Sequence, residues 1–337
     1  MTTINKQVRL ASRPSGWVTP ENFDITENPV TDPGDGEVLV RNIVMSVDPY
    51  MRGRMNAGKS YVAPFEIGEV LSGGAVGQVI SSNNSDYSEG DYVLGPLGWE
   101  NYSISTGDGL RKVQKLELPL SYYLGILGMP GMTAWAGLMD VAGLKEGETV
   151  FISAASGAVG SVAGQIAKIY DCHVAGSVGS DEKVELAKSE FGYDEVINYK
   201  TSDSLPKAVA AACPDGINVS FENVGGDIME ATMWNMAPFG RIALCGMIAN
   251  YNDAELAPGP RGMTTIIGKR LMIKGFIVSD HEKASMEYVQ KAVGWIAEGK
   301  LKYRETIAEG VENAPNAFID MLKGRNVGKQ VVRLGDD

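Results

Sequence analysis

One junction limits the possible folds of this chain more than any other. Thr149-Val150-Phe151-Ile152-Ser153-Ala154-Ala155 reads as a short buried strand. It runs directly into Ser156-Gly157-Ala158-Val159-Gly160-Ser161 and a helical pattern over 159–170. A strand, a tight turn of small residues and a helix make up the first half of a βαβ unit. Counted from Ala154, the turn spells A-x-x-G-x-x-G, a variant of the dinucleotide fingerprint with alanine in place of its first glycine. Gly157 would let the backbone approach a pyrophosphate, and Gly160 would let the helix pack closely on the strand. N–H groups left without partners at the helix start would then face the phosphates. A lone glycine turn of this kind is only a tight connection. Flanked by both strand and helix, it points to a dinucleotide site.

The alternation continues downstream. Extended apolar runs at 173–177, 195–199, 217–223, 240–245 and 271–277 are interleaved with helical patterns, among them 181–191 and 283–299. Strands alternating with helices predict a doubly wound parallel sheet covered on both faces. The first third has a different character. Its extended runs at 37–45, 69–80 and 91–94 are punctuated by glycine, the pattern of a compact β domain. A terminal strand over 328–334 could return to that domain. The fold class is therefore α/β, a Rossmann domain plus a β-rich domain.

A length of 337 residues suits two domains. Hydrophobic residues at 44% and charged residues at 21% leave enough apolar surface to build two cores. The net charge of −12, with no lysine or arginine cluster, argues against a nucleic-acid partner. The same charge repels an anionic cofactor at long range, so any phosphate site must work through local groups. No apolar run is long enough for a signal peptide or a membrane-spanning helix. Cys172, Cys213 and Cys245 are odd in number and far apart, which fits a reducing cytoplasm better than a disulfide framework.

The second strand of the unit decides between NAD and NADP. An NAD site usually places Asp or Glu about 20 residues beyond the glycine turn, to bind the ribose 2′-hydroxyl. That position falls in Gly176-Ser177-Val178-Gly179-Ser180, which holds no acid. Ser180 and Lys183 can receive a 2′-phosphate instead, Lys183 as a point charge. Asp181 is better read as a first-turn helix residue that favours the dipole. The cofactor is therefore NADPH/NADP. No metal accompanies it in this reading. A catalytic zinc needs three or four clustered ligands, yet the chain has two histidines and no C-x-x-C pair. His173 reads as a partly exposed strand residue, and His281 as a solvent-exposed residue at a helix start.

A series of segments, in order and spanning nearly the whole chain, carries a resemblance. They are Val47-Asp48-Pro49-Tyr50-Met51-Arg52-Gly53, Gly128-Met129-Pro130-Gly131-Met132-Thr133-Ala134, residues 154–164, Gly179-Ser180-Asp181-Glu182-Lys183, Asn198-Tyr199-Lys200, Asn223-Val224-Gly225-Gly226, residues 240–251 and Gly328-Lys329-Gln330. Together they resemble the zinc-independent medium-chain dehydrogenase/reductases, in particular the prostaglandin reductase, plant double-bond reductase and bacterial curcumin reductase group. The resemblance implies a GroES-like catalytic domain over residues 1–122, with 306–337 returning to it, and a Rossmann domain over 123–305. It implies NADPH and a homodimer. It places the pyrophosphate at Gly157, Ala158, Val159 and Gly160, and the adenosine end with its 2′-phosphate at Lys183 and Tyr199. Asn223, Cys245, Gly246, Met247, Ile248, Phe276, Ile277, Val278 and Asn326 would line the rest of the cofactor groove. After Val278 the match weakens at Ser279-Asp280-His281.

The chemistry this implies is hydride delivery to the β-carbon of an α,β-unsaturated ketone or aldehyde. Negative charge moves to the carbonyl oxygen, and the α-carbon then takes a proton, plausibly from solvent. Without a metal, a hydrogen-bond donor must steady that oxygen. Tyr251, Tyr61 and Tyr50 are the candidates, each of which could equally be a packing residue with one polar handle, since thirteen tyrosines are present. Cys245 reads as a small buried hydrophobe rather than a nucleophile, because no histidine base lies near it. The rival readings are a quinone reductase on the same fold and a non-catalytic NADPH-binding protein. Substrate choice would rest on 56–65 and 251–262, where the Pro- and Gly-rich stretch 256–262 reads as a mobile cover.

Overall fold

The computed structural model describes residues 2–255 and 258–336. In chain order its strands are β1 (Ile4–Leu10), β2 (Phe23–Pro29), β3 (Val38–Ser46), β4 (Ser72–Ser82), β5 (Tyr92–Gly98), β6 (Tyr102–Ser105), β7 (Arg111–Lys112), β8 (Thr149–Ser153), β9 (His173–Val178), β10 (Glu195–Asn198), β11 (Ile217–Glu222), β12 (Met236–Leu244), β13 (Met272–Gly275), β14 (Glu305–Glu309) and β15 (Lys329–Arg333). Its α-helices are α1 (Met51–Arg54), α2 (Met129–Trp135), α3 (Gly160–Ile169), α4 (Asp181–Ser189), α5 (Leu205–Ala212), α6 (Gly226–Asn235), α7 (Met263–Lys269), α8 (Glu282–Ala297) and α9 (Ala314–Leu322). The chain divides into two compact units. One comprises Met1–Leu124, Glu305–Asn326 and Gln330–Asp337, the other Gly125–Arg304 and Val327–Lys329.

The first unit is built on an antiparallel sheet of order β14-β15-β3-β4-β5-β7, with β6 also pairing β3. β3 is buried at every position but Arg41, which is why its hydrophobic run alternates only in part. β15 lies antiparallel on it, Val332 opposite Met45. Ile43, Val44, Val76, Leu120, Leu124 and Val331 form one core cluster. Phe23, Trp99 and Phe318 form a second, with ring centroids 5.9–6.5 Å apart. β1 and β2 make a separate two-stranded hairpin.

The second unit is a six-stranded parallel sheet of order β10-β9-β8-β11-β12-β13. Strand order reverses between β8 and β11, so their carboxyl ends diverge into the crevice where open α/β sheets bind ligands. β8 is apolar because both faces are covered, and all but Thr149 is buried. α3 presents Val162, Ala163, Ile166 and Ala167 to the sheet, all fully buried. Phe151, Ala175, Val209, Met229, Met233 and Ile242 fill the core on one face. Among the described residues no helix is long and apolar enough to cross a membrane.

Candidate active site

β8 stops at Ser153, two residues earlier than the apolar run suggests, because Ala154 turns into left-handed backbone at φ 53°. An L-residue in that region costs roughly 1–2 kcal/mol and persists only where its surroundings over-determine it. The turn then closes with Gly157 N–H donating to the Ala154 carbonyl at 2.9 Å. A Cβ on Gly160 would run into that same carbonyl, so only glycine lets α3 start there. At Gly157 a Cβ would touch only Ala154, leaving the outer side of the turn open to a ligand's approach. Ala158 and Val159 complete the turn, and no side chain caps the start of α3. Gly328 lies alongside, its N–H donating to Ser156 O at 2.8 Å, a neighbour that nothing local in the sequence reveals.

At the ends of β9 and β10 the structure gathers the residues expected for a 2′-phosphate. Ser180 is the N-cap of α4, its hydroxyl accepting from Lys183 N–H at 3.4 Å. Lys183 is held below the ordinary lysine range by burial and then by the charge of Lys200. Two ammonium groups that close repel each other, and a phosphate dianion would relieve the repulsion. Tyr199 is partly exposed, with the Lys200 ammonium 5.9 Å from its ring centre. Asp181 is occupied in accepting from Asn198 Nδ2 at 2.7 Å. The donor set fits NADPH. Lys200 was not singled out for this role from sequence, because the pairing of β10 beside β9 is what brings it to Lys183.

The ends of β11 and β12 form one hydrogen-bonded cluster. Asn223 donates from its backbone to Ser153 Oγ at 2.7 Å and from Nδ2 to Ser153 O at 2.8 Å. Cys245 and Gly246 N–H groups both donate to Glu222 O, and Ile248 N–H to Asn223 O. Met247 N–H donates to the Tyr251 hydroxyl oxygen at 3.4 Å, closing the loop on itself. Burial, and then the charge of Glu222, pushes the Cys245 thiol up to about 12, so no thiolate forms there at neutral pH. Phe276 follows Gly275, which is in register with Leu244, and packs edge-on against Phe221 with centroids 6.2 Å apart. Ile277 and Val278 come next, at the start of a short 3-10 turn. The proposed cofactor residues of this unit thus stand at the carboxyl ends of all six strands.

The three tyrosines are distributed between the units. Tyr50 and Tyr61 belong to the first and Tyr251 to the second, while Asn326 belongs to the first. Tyr50 opens α1, and Arg54 and Tyr61 are both near enough to act on it electrostatically. Burial, and then the charge of Asp48, pushes the Tyr50 phenol well above its usual range. Tyr61 itself is 64% exposed.

Two expectations need correction or qualification. His281 is not solvent-exposed: its side chain is 15% accessible, and its Nδ1 lies 2.8 Å from Asp140 Oδ2. Asp140 belongs to a π-helical turn (Ala136–Val141) distant in sequence, so helix-start position alone could not reveal the pair. Of the stretch 256–262, Leu256 and Ala257 lie outside the described residues, and Arg261 is tied to Glu230 of α6 by two bonds of 2.8 Å. His173 is partly exposed as expected, with Nε2 2.9 Å from Ala212 O. Among the described residues no three His, Cys, Asp or Glu side chains gather as metal ligands.

Comparison with known proteins agrees with this geometry. Residues 6–113 match a family profile described as the N-terminal domain of oxidoreductase, and residues 158–298 one described as zinc-binding dehydrogenase. The chain is 44% identical to the NADPH-dependent curcumin reductase of Escherichia coli (strain K12), covering 99% of this chain and 98% of that one. It is 46% identical to the 2-alkenal reductase (NADP(+)-dependent) of Nicotiana tabacum, covering 98% and 97%. The crystal structure of CurA in complex with NADPH from Vibrio vulnificus superposes with a TM-score of 0.93 at 44% identity, covering 98% and 100%. This chain belongs to the zinc-independent medium-chain dehydrogenase/reductase family, among its NADP-dependent oxidoreductases.

Proposed function

We propose that the protein reduces the carbon–carbon double bond of α,β-unsaturated ketones and aldehydes with NADPH. The observation that carries this reading is likeness along nearly the whole chain to a curcumin reductase and a 2-alkenal reductase, in a chain whose glycine turn and lysine pair suit NADPH. A 2-alkenal is an α,β-unsaturated aldehyde, which sets the substrate class.

When bound, NADPH supplies the hydride that adds to the carbon β to the carbonyl. The chain's residues do the rest. Gly157, Ala158, Val159 and Gly160 hold the pyrophosphate, and Ser180, Lys183 and Tyr199, with Lys200, hold the 2′-phosphate end. Asn223, residues 245–248, residues 276–278 and Asn326 line the remainder. Tyr251, Tyr61 or Tyr50 donates a hydrogen bond to the carbonyl oxygen as negative charge gathers there, and solvent gives the α-carbon its proton.

The test is NADPH oxidation by the purified protein with a simple enone, a simple quinone and neither. The reading expects kcat/KM for the enone to exceed that for the quinone by about tenfold or more, a difference of about 1.4 kcal/mol in transition-state binding. Turnover of the quinone alone would make this a quinone reductase. Cofactor binding without turnover across an enone panel would make it a binding protein.

The same reading includes a homodimer in the cytoplasm. Cys172, Cys213 and Cys245 are all free, as a reducing compartment allows. Among the described residues β13 ends the parallel sheet; Met272 in it is exposed, as are Met263 and Ile267 of α7, which packs on β12.

A further inference from the structure

Glu222 is the last residue of β11, and it is fully buried. Its two carboxyl oxygens are treated very differently. Oε1 accepts three hydrogen bonds, from Ser153 Oγ at 2.7 Å, Val224 N at 2.7 Å and Gly225 N at 2.9 Å. Oε2 is buried and has no hydrogen-bond partner among the described residues. The Glu222 side chain ties two strand ends together, and its main-chain carbonyl holds a third. Ser153 closes β8 beside the left-handed Ala154. Residues 223–225 lead from β11 into α6. Cys245 and Gly246, after β12, hang from the Glu222 carbonyl.

We propose that Glu222 is kept as a neutral carboxylic acid and is the positioning residue whose side chain fixes the end of β8 against the turn after β11 for NADPH. The proposal rests on the reading of this site as an NADPH site. Two physical arguments support it. An ionised carboxylate spreads its charge over both oxygens, and a charged oxygen buried without a donor costs far more than a buried hydroxyl in the same place. The three donors on Oε1 favour the anion, but burial outweighs them and pushes the carboxyl above its usual range. The second argument is functional. A fixed negative charge among loops that must receive a pyrophosphate would oppose binding, in a chain already at −12. A neutral acid supplies the acceptor these loops need without that charge. Glu222 touches no reacting atom in this scheme.

Three variants and three readouts test it. The infrared spectrum of the protein without cofactor is expected to show the carbonyl band of a protonated carboxylic acid, and E222Q is expected to lack it. Glutamine keeps the acceptor and the neutrality, so E222Q should bind NADPH within about threefold of the unaltered chain, with an unchanged melting temperature. E222L removes the acceptor and should weaken NADPH binding by about tenfold or more, with Ser153, Val224 and Gly225 left as buried donors. E222D, which shortens the reach to those donors, should fall between. The proposal is overturned if no such band is found, if E222Q binds about tenfold worse, or if folded E222L binds as well as the unaltered chain. If E222L does not fold, E222Q and the spectrum still decide. Failure of the unaltered chain to bind NADPH would strike the proposed function, and the infrared result on the protein alone would stand apart from it.

Discussion

A phenol donates a hydrogen bond only while it keeps its proton, and the surroundings of Tyr50 favour that state. Burial and the nearby Asp48 both oppose ionisation and outweigh the Arg54 guanidinium, which favours it. If Tyr50 is the donor, activity that depends on it should not decline as pH nears the ordinary phenol range of about 10. Its pKa is raised, so the proton is retained past that point. Replacing the main donor by phenylalanine should cost about 10²-fold in kcat/KM with NADPH affinity unchanged. Steady-state kinetics of Y50F, Y61F and Y251F would assign the role. Losses under about threefold in all three would remove it from every one of them. Sequence could name these tyrosines through resemblance, but not the partners of any. The Asp48 charge near Tyr50, the Lys200 charge beside Lys183 and the buried oxygen of Glu222 depend on the folded arrangement.

Among the elements, the strands are held in order by more than their ladders. Arg241 on β12 reaches past β11 to Glu148, just before β8. It makes two bonds of 2.8 Å to the carboxylate and a third, of 2.9 Å, to Ala142 O. The two side chains are 17% and 16% exposed. Burial raises the Glu148 carboxyl, but the bonds from Arg241 and Lys145 N outweigh it and leave it below the usual range. R241M therefore strands a partly screened carboxylate and should cost about 1–2 kcal/mol. A depressed carboxyl contributes stability above its unfolded pKa and loses it as pH falls through the folded value. The melting-temperature gap between R241M and the unaltered chain should thus be full at neutral pH and shrink on acidification below about 4.5. A gap that stays constant with pH would show that lost packing, not the ion pair, is responsible. The strands of the parallel sheet were legible in sequence because each is an apolar run bounded by turn residues. β1 and β2 were not. Lys6 and Arg9 interrupt one, and twelve residues with no hairpin-turn signature separate them. Nor does the sequence announce α7, which is short and lies between Gly262 and Arg270, both in left-handed backbone. The apolar run overstates β8 by two residues because Ala154 and Ala155 are apolar, and nothing in an alanine announces a positive φ.

At the scale of the whole molecule, the exposed edge of the parallel sheet is the feature still to be accounted for. Among the described residues β13 has β12 on one side and no strand on the other, the arrangement that leaves an edge open to pairing. Monomeric proteins usually blunt such an edge with charges or proline. Here Lys274 is the one charge in the strand, and Met272 beside it is 41% exposed. α7, which packs on β12, exposes Ile267 at 79% and Met263 at 54%. An end strand with an exposed methionine, and a neighbouring helix with exposed apolar side chains, suit a two-fold axis, where the strand pairs with its own copy and the apolar side chains are covered. Light scattering at micromolar concentration should then return twice 36.0 kDa. Ile267→Glu sets two like charges against each other across the axis and should weaken association by about tenfold or more. NADPH binding should be left intact, because Ile267 lies on α7 and away from the strand ends proposed to hold the cofactor. A mass of 36.0 kDa for the unaltered chain would refute the dimer. Undiminished association of I267E would place the contact on another face.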